Sequence, residues 1–138
     1  MMDSETARDR LEIIRQATAG LLWRSESDFP FEVFSWPKKD KETIAAENLL
    51  DRIDLPLNTP VKTRQIEDFF APAIRDRDWH DEGDKEIVQK YRNLLATIEQ
   101  NLKNTKVYLV DRVEIKIYII GELSDRDWGV LFTKAIET

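Results

Sequence analysis

Cysteine is absent from the 138-residue chain, histidine occurs once and glycine only four times. The first absence excludes disulfides, thiolate nucleophiles and zinc–thiolate sites together. The second leaves His80 to serve any imidazole-dependent mechanism alone, and in an acidic stretch that side chain reads first as solvated surface. The third leaves no glycine-rich loop to cradle a phosphate, and neither G-x-S-x-G nor H-E-x-x-H occurs. Long apolar runs are lacking too. The opening "MMDSETARDRLEII" holds neither a signal-peptide core nor a membrane span, so the protein is expected in the cytoplasm and off the membrane. Positive charge is also short: 21 Lys and Arg face 27 Asp and Glu, a net charge of −6. Proteins that track nucleic acid neutralise phosphates with Lys and Arg, so direct nucleic-acid binding is not expected and a basic protein partner suits this surface better. These shortages point away from an enzyme and from any cofactor.

What is present, 41% hydrophobic and 35% charged residues, is the composition of a soluble globular chain, read as one domain over residues 1–138. Asp3 or Ser4 can cap a first helix with Ala7, Leu11, Ile14 and Thr18 on one stripe, ending near Gly20. In "FPFEVFSWP" the alternation puts Phe31 and Val33 on one face and Phe34 and Trp36 on the other. A strand apolar on both faces needs cover on both, which predicts three layers. Asp40 can cap a second helix carrying Ala46, Leu49, Leu50 and Ile53. Thr63 is read as the cap of a short helix with Ile66, Phe69, Phe70 and Ala73, disturbed at Pro72. A long helix with Ile87, Tyr91, Leu94, Leu95, Ile98 and Leu102 follows, with Asn104 as its stop. Three strands close the chain: "KVYLV", "VEIKIYII" and "GVLFTKAIET". In the middle one Val113, Ile115, Ile117 and Ile119 share a face, while Asp111 and Arg112 before it are poor residues for a two-residue hairpin turn. Helices first and a meander last make the class α+β, with a mainly antiparallel sheet.

The stretch "RDRDWHDEGD", Arg75 to Asp84, sets one tryptophan and the only histidine among seven charges. Counted as a calcium loop from Asp78, it puts Gly83 correctly but places Gln89 where a bidentate glutamate is required, so the metal reading fails. Paired carboxylates such as Asp78 and Asp81 make no acid–base hydrolase, since neither sits among apolar residues that would hold its proton at neutral pH. Two readings of Trp79 stay open. Its ring packs beneath the start of the following helix, or it stands exposed as an interface anchor. In "RSESDFPF" the serines suit a turn, and Glu26 taken alone reads as a solvated loop residue.

Taken together, "GLLWRSESDFPFEVFSW", "NLKNTKVY", "VEIKIYIIGE" and the ending "TKAIET" resemble the nuclease A inhibitor family, in matching order over nearly the whole chain. The resemblance implies an α/β/α sandwich of the pathogenesis-related type. It also implies a protein inhibitor that occludes a basic, metal-dependent, sugar-non-specific DNA/RNA nuclease one-to-one. The family's contact residues fall on Glu26, on Asp78 and Trp79, and on Thr138, whose end is expected to reach toward the nuclease's magnesium. Glu26 would pair with an arginine that normally grips the scissile phosphate. Asp76, Asp81, Glu82 and Asp84 read as steering charges around these anchors.

Two features depart from the family pattern. Arg77, counted among the contact residues, and Arg75 flank the Asp78–Trp79 pair and bring positive charge toward a basic active site. The loop "LSDRDWGV" is bulky and charged, and its Arg126 and Trp128 would either extend the interface or clash with the nuclease. Both features favour the alternative reading, a non-catalytic adaptor of the same fold that binds an unrelated basic partner.

Overall fold

The strand with two apolar faces is the edge on which the architecture turns. The computed structural model describes residues 4–39, 44–75 and 80–137, without the side chains of Ser4 and Glu5. Helix α1 (Ser4–Thr18) leads through a small antiparallel hairpin, β1 (Leu22–Arg24) and β2 (Asp28–Pro30), into β3 (Glu32–Pro37). Then follow α2 (Ala46–Arg52), β4 (Val61–Gln65), α3 (Ile66–Phe70), α4 (Glu82–Asn101) and the meander β5 (Lys103–Val110), β6 (Glu114–Glu122) and β7 (Asp127–Ile136). The five-stranded sheet runs β3-β7-β6-β5-β4, antiparallel throughout. No helix among the described residues is long and apolar enough to cross a membrane.

Strand alternation sorts the core into two clusters. Val33, Ile115, Ile117, Ile119 and Leu131 pack with Ala7, Leu11 and Ile14 of α1, Phe69 and Phe70 of α3, and Tyr91, Leu94 and Ile98 of α4. On the opposite face Phe34, Trp36, Tyr118, Ile120 and Val130 pack with Leu49 and Leu50 of α2. Helices therefore lie against both faces, and the α+β class and mainly antiparallel sheet follow as the sequence pattern requires. Gly20 ends α1 at φ +77°, a conformation that costs glycine little. Gly121 and Gly129 face each other across β6 and β7, and both make room for Leu102. A Cβ on Gly129 would come within 2.5 Å of Leu102 Cδ2, and one on Gly121 within 2.8 Å of Leu102 Cβ.

Several local expectations are corrected. Thr63 caps no helix. It pairs with Tyr108 in the edge strand β4, and α3 starts at Ile66 behind an extended Gln65. Sheet pairing claims the backbone amides that a capped helix would have needed, so tertiary context overrides the local capping preference. Helix α2 starts at Ala46, with the Ala45 amide donating to Asn48 Oδ1, so Asp40, itself outside the described residues, is not its cap. Asp3 and the Ser4 side chain are likewise outside. Helix α4 ends at Asn101, before the expected Asn104, because Leu102 turns extended and buries its side chain. Val113 leaves its expected face and is 55% exposed in the turn before β6.

The "LSDRDWGV" loop is shorter than expected, since β7 already begins at Asp127. Trp128 opposes both Trp36 and Glu122 across the sheet and is buried, with the Lys38 ammonium 4.6 Å from its ring centre. It serves the α2-side core. Arg126 remains exposed at the tip.

Candidate functional site

The tip of the β1–β2 hairpin is "SES", Ser25–Ser27, and the serines shape it. Ser25 Oγ donates to Ser27 O at 2.7 Å, and the Ser25 amide reaches the same carbonyl at 3.2 Å. Such side-chain closures are why serine suits tight turns. The same Ser25 Oγ accepts from the Ile136 amide at 3.0 Å, while the Glu26 amide donates to Ile136 O at 3.3 Å. Thr133 Oγ1 adds a contact to Pro30 O at 3.0 Å. The hairpin is thus laced to the last residues of β7, and the backbone of the exposed Glu26 is bonded to Ile136, two residues before Thr138 in sequence. Beyond Ile136 the Glu137 amide donates to Val113 O at 2.9 Å, which ties the tail to the β5–β6 turn.

The base of the hairpin is held by aromatic packing. Trp23 stacks on Phe69 with centroids 4.4 Å apart and meets Phe70 and Tyr91 edge-on at 6.0 and 5.9 Å. Offset and edge-to-face geometries of this kind add attraction beyond area burial. The Tyr91 hydroxyl donates to Leu22 O, fixing β1 to α4. Burial pushes the Tyr91 phenol up from 10.0 to about 12, with Arg24 working against the shift and Asp28 with it. Below pH 10 the phenol is neutral whether the chain is folded or not. Between pH 10 and about 12 only the unfolded chain releases this proton, so folding stability should fall across that window. Chemical denaturation at several alkaline pH values checks this, and Tyr91→Phe should flatten this part of the decline.

A cleft of about 280 Å³ lies between the hairpin and the start of α4, lined by Trp23, Arg24, His80, Asp84, Ile87 and Tyr91 among others. It brings the Glu26 hairpin and the residue that follows Trp79 to one side of the molecule. Arg77, Asp78, Trp79 and Thr138 lie outside the described residues, as does Asp76. The second half of "RDRDWHDEGD" is a helix start. Asp81 Oδ1 accepts from the Asp84 amide at 2.8 Å, and Asp84 Oδ2 from the Asp81 amide at 3.2 Å. Two carboxylates first read as steering charges thereby cap α4, where the helix dipole favours negative charge. The acid three residues beyond Asp81 was the available signal for this cap. Among the described residues no group of three His, Asp or Glu side chains is placed to hold a metal ion.

The residue of this site that the sequence does not single out is Ser25, whose hydroxyl couples the hairpin to β7. Only the pairing of distant segments reveals that role. The sequence model of one family, described as nuclease A inhibitor-like protein, matches residues 8–138. No curated protein matches the chain.

Proposed function

The chain belongs to the nuclease A inhibitor-like family, and on that premise we propose that it binds and occludes the active site of a magnesium-dependent, sugar-non-specific DNA/RNA endonuclease, one molecule to one. The observation that carries the mechanism is the lacing of Ser25 and Glu26 to Ile136, which sets an exposed carboxylate beside the strand leading to Thr138. Glu26 pairs with the arginine that grips the scissile phosphate, since a carboxylate matches the same planar guanidinium fork. Thr138 hydrogen-bonds waters on the catalytic magnesium, which keeps several of them. Trp79 fills a groove on the nuclease, Asp78 contacts its cationic rim, and Arg77 lies at the edge of the contact, where it tunes which nuclease is accepted. Net charge −6 speeds the approach to a basic face.

Mixing the protein with nucleases of this class and following DNA cleavage in magnesium tests the reading. Unchanged cleavage by every such nuclease at high molar excess overturns it. Where inhibition is found, Trp79→Ala should weaken it at least about tenfold, on the order of 1.4 kcal/mol. A loss well below that returns Trp79 to a packing role. The adaptor alternative has lost one of its supports, because Trp128 is buried.

A further inference from the structure

We propose that the β5–β6 turn, Asp111–Val113, is a second contact element on the same docking face, received by an apolar patch with a carboxylate at its edge, outside the nuclease's cationic centre. This rests on the inhibitor reading and adds to it a surface that bears no acid anchor. The turn is joined to the tail directly, through the Glu137 amide and Val113 O at 2.9 Å. Backbone hydrogen bonds thus join Glu26 to Ile136 and the adjacent Glu137 to Val113, linking three separate chain segments in a row.

The turn is braced for contact. Asp111 holds φ +78°, a left-handed conformation that Asp tolerates better than most side chains. Its carboxylate accepts from the Arg112 amide at 2.9 Å, and its own amide donates to Pro60 O at 2.9 Å. A turn held at both ends and from within loses little freedom on docking, which favours affinity. Val113 offers the apolar contact, being 55% exposed although its alternation pattern belongs to the core face. Arg112 is exposed, and its guanidinium makes no ion pair or side-chain hydrogen bond with the described residues. On a molecule with a net charge of −6, a cation at this place selects a partner with an acid opposite it. The turn also borders a cleft of about 730 Å³ shared by Glu137, Ala135 and Trp23, so one continuous surface joins it to the base of the hairpin.

Inhibition of a nuclease that the unaltered protein blocks should weaken about tenfold in Val113→Asp, a charge placed against an apolar patch. Arg112→Glu should lower the association rate by roughly three- to tenfold at low salt, with the difference shrinking as salt rises. Thermal unfolding shows whether each variant is folded, and Val113→Ser replaces Val113→Asp if that one is not. If the unaltered protein inhibits and the turn variants match it in potency and rate, the turn is no contact element and the inhibitor reading stands. If the unaltered protein inhibits no nuclease of the class, both proposals fall together.

Discussion

Glu26→Lys is expected to weaken nuclease inhibition by roughly hundredfold or more while leaving the fold intact. Reversing one member of a desolvated charge pair leaves two cations facing each other, and truncation alone at such pairs costs about 2–5 kcal/mol. At about 1.4 kcal/mol per tenfold, a hundredfold loss takes about 2.8 kcal/mol, which lies below the middle of that range, and charge reversal adds repulsion to it. The substitution is local because Glu26 is exposed and its link to Ile136 is made by the backbone amide. The effect should appear mainly as faster dissociation, with a slower approach as a smaller part. Titrating the variant against a nuclease, with thermal unfolding as the folding control, measures it. Retained potency would remove Glu26 from the interface.

Phe70→Ala should cost about 3–5 kcal/mol of folding stability, the range for deleting a large buried ring. Phe70 is fully buried and lies within ring contact of Trp23, Phe69 and Tyr91. The loss leaves a cavity at the point where α3 and α4 hold the base of the hairpin, so the surrounding rings cannot all close on it. With about 2–4 °C per kcal/mol for a domain near this size, the unfolding midpoint should drop by roughly 10–15 °C. Because Trp23 precedes the hairpin tip by two residues, the variant should also place Glu26 less firmly and inhibit less well at temperatures where it is still folded. A midpoint shift of only a degree or two would show that the aromatic cluster is not the anchor of the hairpin.

The parts of the fold that could be read in the sequence are those whose pattern is local. Ala7, Leu11, Ile14 and Thr18 recur at helical spacing, and all four are buried. The alternation in "FPFEVFSW" divides Phe31 and Val33 from Phe34 and Trp36, and the two pairs enter the two separate cores. Periods of 3.6 and 2 are properties of the backbone itself, so one segment is enough to reveal them. Thr63 departs from its local pattern for the complementary reason. Nothing near it says that Tyr108 will stand opposite, yet that pairing makes Val61–Gln65 a strand. Trp128 looked like an exposed loop aromatic because the cover supplied by Trp36 and α2 comes from far along the chain.

The candidate site divides along the same line. Its residue types, the acid in "SES" and the tryptophan among charges, are visible in the bare sequence, as is the acidic balance. Which of them act together is not. The hydroxyl of Ser25 and the amide of Ile136 are 111 positions apart, and their 3.0 Å contact exists only because β7 runs beside the hairpin. Composition and periodicity determined the class, the two-faced sheet and the chemical character of the surface, since each depends on neighbours in sequence. Tertiary structure alone decided that Glu26, the tail and the β5–β6 turn share an edge, because hydrogen bonds between distant segments form only once the sheet has closed.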